Sequence, residues 1–382
     1  MKIAFVYRTQ ALGVEGVHIR GIADSLVKMG HEVRFFGPAM NSEVAKASGK
    51  RASFLRRMIG ALTARMPEFM FELAEIAYSV PAAIKLLWAH RRYRFDAIYE
   101  RYAIFGFAGV LAARLLRVPI ILEVNYTSLS PLVRERSRLL KPVAVAFDRF
   151  IFKRTTAFAA VSSRLRQQLI EDFHVAPERV VVVPNAADPD AFVPLPKTDP
   201  TQPFTIGFVG SFFPWHGVDM LVDAAGRLVA GGSPVRVLLV GDGPQRPEIE
   251  RQVKALGLER QVSFLGRVKH DRLPEVIREF DVGVMPDSND YGSPMKIFEY
   301  MALGKPTIAP DYGPLLDAFR NGVHGFHFSR GNVVALTAAL KQAIDDRDLL
   351  ARMGLAAREH VVSDRNWMNN TVISLRAAGL HS

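Results

Sequence analysis

The sequence predicts an α/β protein built from two doubly wound parallel-sheet domains, and three observations carry this prediction. At 382 residues and 49% hydrophobic composition, the chain is long enough to bury more than one core. Both halves alternate short apolar, β-branched runs with longer stretches of helical periodicity. A proline-dense stretch from 184 to 200 separates the halves, because proline continues neither a helix nor a central strand.

The predicted strands follow from the β-branched runs. Those of the first half are Ile3–Tyr7, Val33–Gly37, Ala97–Tyr99, Ile120–Glu123, Ala157–Val161 and Val180–Val183, and those of the second are Thr205–Val209, Arg236–Val240, Val262–Leu265, Val282–Met285 and Pro306–Ala309. We place the linker at about 189–203, which gives domains of residues 1–190 and 200–365 and a C-terminal helix over 366–382. Ligands of such sheets collect at the carboxyl ends of the strands, so the loops there are the candidate sites.

Composition excludes several classes of protein. The chain has no cysteine, so it has no disulfide, no thiolate metal site and no cysteine nucleophile. Its first residues run directly into an apolar strand without the features of a secretory signal, which predicts a cytoplasmic protein. The most lipid-like stretch, 103–122, is interrupted by Arg114 and Arg117 and is not expected to cross a bilayer.

The net charge of +11 is unevenly distributed. Residues 1–199 hold 29 lysines and arginines against 18 acidic residues, whereas residues 200–382 hold 20 against 20. The first half is therefore expected to meet an anionic surface or ligand.

Two loops of the second half contain glycines that would let the backbone approach a ligand. The first, 210–217, follows a strand and opens a helix, and it includes Gly210, Ser211 and His216. A strand-to-helix turn needs glycine in any case, and His216 is more often a surface or capping residue than a ligand. The second begins at Gly241, where a turn followed by a proline-led helix explains the sequence equally well.

A third loop carries more chemistry. After the strand at 282–285 and a polar loop, Ser293 suits a helix N-cap, Pro294 suits the first helical turn, and Lys296 begins a helix that runs to residue 303. Backbone N–H groups, the positive end of the helix dipole and an ammonium group would meet there, as a diphosphate requires. Glu299 on the same helix could accept hydrogen bonds from ribose hydroxyls, although a solvated glutamate is as common at such a position.

The segment 293–306, SPMKIFEYMALGKP, resembles the nucleotide-sugar signature of retaining glycosyltransferases of the GT-B fold, family-4 type. Six further segments agree in order and spacing: 13–18 with 30–33, 183–185, 208–211, 240–244 and 264–268. The resemblance spans nearly the whole chain. It implies two Rossmann-like domains, a C-terminal helix that returns to the first domain, and a hexose transfer from a UDP- or GDP-linked sugar to a glycan or lipid-linked glycan. The donor is a substrate, and neither a cofactor nor a metal is implied.

The resemblance also implies roles for individual residues. Glu299 matches the ribose-binding glutamate, and Arg267 and Val268 lie where the base is held. The residues around the diphosphate and sugar are Gly210, Ser211, His216, Gly241, Tyr291, Gly292, Ser293, Pro294, Met295 and Lys296. Two departures stand out: Tyr291 replaces a sugar-side glutamate, and His216 and Ser211 replace the usual lysine and arginine. The diphosphate charge is therefore expected to fall on Lys296.

The first half contributes candidates for the sugar and the acceptor. Gly13 and Gly16 would approach the donor phosphates, Glu15 lies between them, and His18 follows on the same helix, where plain packing is an alternative role. Further acceptor-side candidates follow two strands: Glu100, Arg101, Tyr102, Glu123 and Asn125. Asn125 stands where the family often has histidine, and asparagine cannot act as a general base. The candidate catalytic set is Lys296, Glu299, Asn125 and His18, with the leaving diphosphate deprotonating the acceptor hydroxyl and no enzyme nucleophile.

Basic residues alternate with aromatic ones in residues 46–101, and a second basic stretch covers 134–154. This pattern suits peripheral contact with the anionic inner face of the cytoplasmic membrane, or an ordinary solvated helix face.

Two other functions compete with glycosyl transfer. A sugar-nucleotide epimerase of similar architecture would turn over donor without acceptor. A nucleic-acid-binding protein would explain the basic half through salt-dependent binding, but no recognition motif appears, so nucleic acid is not an expected partner.

Overall fold

The computed structural model describes residues 1–9, 13–37, 66–131, 139–199 and 201–380. The chain divides into two compact units, Met1–Val183 with Asn370–Ser382 and Pro184–Asn369. Each unit contains one six-stranded sheet in which every pair of neighbours is parallel. The predicted α/β class with two doubly wound sheets is confirmed.

The first unit has strand order β2-β1-β3-β4-β5-β6. Its described elements are β1 (Lys2–Val6), α1 (Val14–Lys28), β2 (Glu32–Phe36), α2 (Glu68–Tyr93), β3 (Ala97–Arg101), α3 (Ala108–Leu116), β4 (Ile120–Val124), α4 (Lys141–Arg154), β5 (Ala157–Ala160), α5 (Ser163–Glu171) and β6 (Val180–Val182). The central strands are buried on both faces, as expected of a sheet covered by helices on both sides.

The second unit has strand order β12-β11-β10-β7-β8-β9. Its elements are β7 (Phe204–Val209), α6 (Val218–Ala230), β8 (Val235–Val240), α7 (Arg246–Ala255), β9 (Val262–Gly266), α8 (Leu273–Ile277), β10 (Val282–Val284), α9 (Met295–Ala302), β11 (Thr307–Pro310), α10 (Gly313–Ala318), β12 (Gly325–Phe328), α11 (Val333–Asp345) and α12 (Arg347–Ser363). A last helix, α13 (Trp367–Ala377), passes from this unit to the first.

Two features differ from the sequence predictions, the strand β12 and the place of residues 189–199. The eleven predicted strands are all present within two residues of their predicted ends, but β12 had not been predicted. The lipid-like stretch 103–122 forms α3 and the start of β4, and no helix within the described ranges has both the length and the apolar character of a bilayer span. The proline-dense residues 189–199 belong to the second unit, because Phe192 is buried in its core and Lys197 pairs with Asp281 at 2.6 Å.

Each sheet has a switch point, where the connections leaving two adjacent strands run to opposite sides. In the second sheet it lies between β7 and β10, and in the first between β1 and β3. The loops that leave these strands at their carboxyl ends are therefore the places where a ligand is expected to bind.

Candidate active site

The loops that follow β7 and β8 lie so close together that only glycine fits at two positions. A Cβ atom on Gly241 would lie 1.8 Å from the carbonyl oxygen of Gly210, and one on Gly210 would lie 2.4 Å from Nζ of Lys296. The contact brings the first turn of α9 against the end of β7. Gly210 therefore leaves the space that the ammonium group of Lys296 occupies.

Lys296 has no hydrogen-bond partner for Nζ among the described residues. The ammonium lies 4.6 Å from the ring centroid of Phe208, a cation–π contact. Burial lowers the pKa of Lys296 to about 7, although the charge of Glu299 acts in the opposite direction. A buried cation without a partner is costly in a folded protein, and an anionic ligand would satisfy it.

His216 does not add a second positive charge to this site. Its Nδ1 lies 2.5 Å from the carbonyl oxygen of Ser211, which can only accept, so Nδ1 carries the proton. Burial, together with the neighbouring charge of Lys296, lowers the pKa of His216 to about 3. His216 is therefore neutral at pH 7, and Nε2 offers a lone pair.

Glu299 is buried to 4% exposure on α9, and its Oε1 lies 2.8 Å from Nε2 of His270. His270 opens the short helix after β9 and also packs against the ring of Phe192 at 5.3 Å between centroids. Among the described residues Oε2 of Glu299 accepts no hydrogen bond, so one oxygen is held in place and the other is available.

The loop before α9 is organised differently from the prediction. The helix begins at Met295, Pro294 occupies the N-cap position, and Ser293 does not cap it. The Ser293 hydroxyl instead accepts a hydrogen bond from the backbone N–H of Asn185 at 3.0 Å, and the Asn185 amide donates to the Ser293 carbonyl at 2.5 Å. Because the hydroxyl is used elsewhere, the first N–H groups of α9 keep their hydrogen-bonding capacity for a ligand.

Side chains of the second unit hold residues 287–292 in position. Arg330 pairs with Asp287 at 3.0 Å and with Asp290, and it stacks on the Tyr312 ring at 3.9 Å. Oδ1 of Asn289 accepts the backbone N–H groups of both Tyr291 and Gly292. The loop that presents α9 is thus fixed before any ligand binds.

Arg267 and Val268 follow β9, as expected from the resemblance. Arg267 is exposed, whereas Val268 is half-buried and packs on the core beneath α9. The carbonyl of Gly266 accepts the N–H of Gly241 at 2.7 Å, which joins this loop to the one after β8. The predicted donor residues from 210 to 299 therefore lie in the loops that follow β7, β8, β9 and β10 and on α9. All of these segments leave the carboxyl ends of the strands of the second sheet.

A buried polar cluster in the first unit centres on Glu123, at the end of β4. Asn125 donates to Oε1 at 2.7 Å, Arg101 pairs with the same oxygen at 2.5 Å, and Nδ1 of His18 lies 3.3 Å from Oε2. Burial, together with the charge of Arg101, lowers the pKa of His18 to about 4 despite the opposing charge of Glu123. For Glu123 burial raises the pKa, but His18 and Arg101 outweigh it and hold the pKa below its usual value. Three of the predicted residues, His18, Arg101 and Asn125, therefore meet at the carboxylate of a fourth, Glu123.

Other predicted residues of the first unit lie apart from this cluster. Tyr102 donates to the buried carboxylate of Asp148, and Glu15 accepts from the backbone N–H of Gly13 at the start of α1. Gly16 is buried in the first turn of that helix. Glu100 lies on β3 next to Arg101, but alternate strand residues face opposite sides of a sheet, so Glu100 faces α2 and α3.

Sequence reasoning missed several residues of these sites: His270, Arg330, Tyr312, Asn185 and Tyr99. Tyr99 donates to Oε2 of Glu123 at 3.3 Å. Each acts through a partner that is distant in sequence; His270 and Glu299, for example, are 29 positions apart. Only Asn185 carried a signal, because it stood in one of the segments that agreed with the family.

Comparisons with known proteins match both halves of the chain to glycosyltransferase families. Residues 15–191 match the model of Glycosyltransferase Family 4, and residues 196–360 match that of Glycosyl transferases group 1. The chain is similar to 2-deoxystreptamine glucosyltransferase of Streptomyces kanamyceticus, 29% identical over 63% of this chain and 65% of that protein. It is 30% identical to D-inositol 3-phosphate glycosyltransferase of Nocardia farcinica, over 70% of this chain and 62% of that protein. The chain thus spans slightly less than two thirds of these two relatives. Among solved structures, Anabaena HepE in complex with UDP aligns over 100% of both chains with a TM-score of 0.74 and 20% identity.

Proposed function

The chain belongs to the family-4 glycosyltransferases with the GT-B fold, and on that premise we propose that it transfers a hexosyl group from a nucleotide-diphosphate sugar to an acceptor hydroxyl with retention of configuration. One observation carries the proposal. The ammonium of Lys296 is buried without a hydrogen-bond partner among the described residues, beside the N-terminus of α9 and at the switch point of the second sheet. A diphosphate supplies the charge and the acceptor oxygens that this site needs.

The nucleoside part of the donor extends along the same helix. Glu299 lies one turn after Lys296, with Oε1 held by His270 and Oε2 open to ribose hydroxyls. Arg267 and Val268 flank the position proposed for the base. We favour uridine over guanosine because HepE, which shares the fold, is known with UDP. The sugar is assigned no further than the hexose class of the family, because Tyr291 replaces the glutamate that contacts the sugar there.

The acceptor is proposed to be a glycan or lipid-linked glycan in polysaccharide or glycoconjugate synthesis. Asn125 and His18 are held by the Glu123 cluster and would orient hydroxyl groups. Asn125 takes no proton, so the departing diphosphate is proposed to accept the proton of the acceptor hydroxyl as the new glycosidic bond forms. Charge on the leaving diphosphate would be stabilised by Lys296 and the first N–H groups of α9.

Calorimetric titration with UDP and GDP tests the donor site. Lys296→Met should weaken UDP binding by about 10- to 100-fold, which corresponds to a charged hydrogen bond of about 1.5–3 kcal/mol. Glu299→Gln should also weaken UDP binding, because the proposed carboxylate acceptor for the ribose hydroxyls is lost. Lys341→Met is the matched control, because Lys341 pairs with Asp345 on the exposed face of α11. Wild-type affinity for UDP in both site variants would refute the proposed site.

We further propose that the first unit contacts an anionic membrane surface through α2. The outer face of this helix exposes Phe69, Leu73, Val80, Ile84 and Trp88, with Trp88 68% exposed. This stripe ends at Arg91, whose guanidinium stacks on Trp88 at 5.4 Å. The helix has three acidic residues: Glu72 is fully buried, Glu75 pairs with Arg8, and Glu68 is half-buried in the first turn. An apolar stripe that carries only positive charge complements anionic headgroups.

Only part of the basic pattern noted in the sequence can be placed. Residues 46–65 and 134–138 lie outside the described residues, whereas Lys153 and Arg154 end α4 beside the exposed Phe150.

Vesicle flotation tests the membrane contact. The wild type should bind phosphatidylglycerol vesicles and should not bind phosphatidylcholine vesicles. The double variant Ile84→Ser/Trp88→Ser should lose most of the binding to phosphatidylglycerol vesicles. Leu355→Ser is the control, because Leu355 is 75% exposed on the second unit. Equal binding of the wild type and the double variant would contradict the proposed contact.

A further inference from the structure

The imidazole of His216 lies beside the buried ammonium of Lys296 in the second unit. Both side chains pack against the Phe208 ring, His216 at 6.2 Å between ring centroids and Nζ of Lys296 at 4.6 Å from the centroid. The carbonyl of His216 accepts the N–H of Asp287 at 3.2 Å, which joins this loop to the one that leads to α9. The ring is therefore held at the site proposed for the diphosphate.

The protein uses only one of the two nitrogens of the His216 ring. Nδ1 donates to the carbonyl of Ser211 at 2.5 Å, and the opposite tautomer would set two lone pairs against each other at that distance. Nε2 has no hydrogen-bond partner among the described residues and keeps accessible surface on this half-buried ring. The site thus presents an unused acceptor next to the unpartnered ammonium of Lys296.

A phosphate oxygen is a poor partner for Nε2. Phosphate oxygens accept hydrogen bonds, so His216 would have to become an imidazolium in order to donate to one. Burial and the charge of Lys296 hold the pKa of His216 at about 3. Taking up a proton at pH 7 would therefore lower the affinity for the ligand by about 10⁴-fold. A ligand meets the neutral ring with its lone pair.

The partner of Nε2 must accordingly be a hydrogen-bond donor. An amine would bring a second positive charge next to Lys296, whereas a hydroxyl group donates without a charge. In the proposed donor the hexose is attached directly to the diphosphate, and the ribose hydroxyls are assigned to Glu299, one turn further along α9. The hexose hydroxyls are thus the neutral donors next to the group that Lys296 would bind.

We propose that Nε2 of His216 accepts a hydrogen bond from a hydroxyl group of the donor's hexose, which makes His216 a specificity-determining residue for the sugar. The inference rests on the proposed donor site and deepens it. A lysine at this position would donate to phosphate, and this histidine instead accepts from the sugar. The contact should therefore add to the affinity for a nucleotide sugar and add nothing to the affinity for the nucleoside diphosphate alone.

Calorimetry with a matched pair of ligands tests this difference. The sugar donor is whichever of UDP-glucose, UDP-galactose and GDP-mannose the wild type binds most tightly, and its partner is UDP or GDP. His216→Phe should weaken binding of the nucleotide sugar by about three- to tenfold and change that of the diphosphate by less than about twofold, because one neutral hydrogen bond is lost. His327→Phe, the same change in a half-buried histidine of β12, should affect neither ligand.

Deoxyfluoro analogues of the same nucleotide sugar identify the hydroxyl group. Fluorine cannot donate a hydrogen bond, so one analogue should bind the wild type about three- to tenfold more weakly than the parent sugar. The same analogue and the parent should bind His216→Phe equally, since the contact is already absent. If His216→Phe does not fold, His216→Ala gives the same comparison. No analogue with this pattern would overturn the proposal.

The pH dependence separates a neutral ring from an imidazolium. In Lys296→Arg, the affinity for the nucleotide sugar should stay constant from pH 6.5 to 8.5, because neither the arginine nor a neutral His216 titrates there. Affinity that falls with rising pH in this variant would mean that His216 takes up a proton on binding, as a phosphate contact requires.

Two further results would also contradict the contact. An equal loss for both ligands in His216→Phe would assign His216 to the diphosphate or to the loop, and wild-type affinity for both would exclude any contact. Binding of UDP or GDP to the wild type reports separately on the donor site. If neither diphosphate and no nucleotide sugar binds, the donor site itself is wrong; if the diphosphate binds and the sugar comparison fails, only the role of His216 is.

Discussion

Lys296 shows how one buried side chain can set the electrostatics of a whole site. Its neighbour His216 stands where the family often has a lysine, yet it is neutral because burial and Lys296 itself lower its pKa to about 3. The site therefore has one titrating cation near neutral pH. Gly210 makes this arrangement possible, because any larger residue would occupy the position of Nζ.

UDP affinity should accordingly depend on pH. In the free protein the pKa of Lys296 is about 7, and a bound diphosphate would hold the ammonium charged, so binding above pH 7 takes up a proton. Affinity should fall as pH rises from 7 to 9, by up to about tenfold per unit at the upper end. The terminal phosphate of UDP, with a second pKa of about 6, does not titrate there.

Calorimetry at pH 7, 8 and 9 measures this dependence. Lys296→Arg keeps a charge throughout and should bind UDP with little pH dependence. A wild type without a slope, or an arginine variant with the same slope, would show that Lys296 is not the titrating group.

At the residue level, the sequence predicted local structure where a short pattern determines it. Lys296 and Glu299 follow a helix start, so spacing places both on one short helix. The partners that tune them could not be predicted, since His270 approaches Glu299 from a different loop. Ser293 shows the same limit. Its residue type suits an N-cap, but its hydroxyl accepts a hydrogen bond from the backbone N–H of Asn185, 108 positions away.

At the scale of elements, the loop 287–292 is as important as the helix it precedes. Arg330, two residues after β12, pairs with two aspartates of this loop and donates to the carbonyl of Ser288 at 2.9 Å. The sequence did not predict β12, because four residues between glycine-rich turns carry too little periodicity. The strand that positions the loop was therefore the one missing from the prediction.

Arg330→Met should weaken UDP binding by about three- to tenfold and leave the thermal midpoint nearly unchanged. The ion pairs are half-exposed and contribute little to stability, about 0–1 kcal/mol each, but they order the loop that presents α9. Titration and thermal unfolding of the same variant separate the two effects. A large loss of stability with unchanged affinity would assign Arg330 to the fold instead.

At the scale of the whole molecule, the donor-site residues Lys296 and Glu299 and the Glu123 cluster lie in different units. The division was largely predictable, because both halves show the α/β pattern and the charge excess stops near the boundary. The exact position at which the chain passes from the first unit to the second was not predictable. It lies between Val183 and Pro184. Proline density marks where regular structure stops, and residues 189–199 still pack on the second unit.

Hydrogen exchange should report this separation. UDP is expected to slow exchange in residues 285–300 and in the loop 210–217, while β1, β3 and β4 exchange as in the free protein, because ligands protect the regions whose opening disrupts their site. Mass spectrometry of peptides with and without UDP measures the pattern. Protection centred on the first unit would place the nucleotide elsewhere.

The hydrogen bonds between Asn185 and Ser293 determine where the chain could be cut into fragments without changing the loop before α9. A fragment that begins at β7 would lose Asn185 and leave the Ser293 hydroxyl free to cap α9, where it would compete with a phosphate for the same N–H groups. A fragment that begins at Pro184 would retain Asn185, the buried Phe192 and the pairing of Lys197 with Asp281. The short segment ahead of the second sheet is thus structurally a part of the donor loop, although the sequence presents it as a connection.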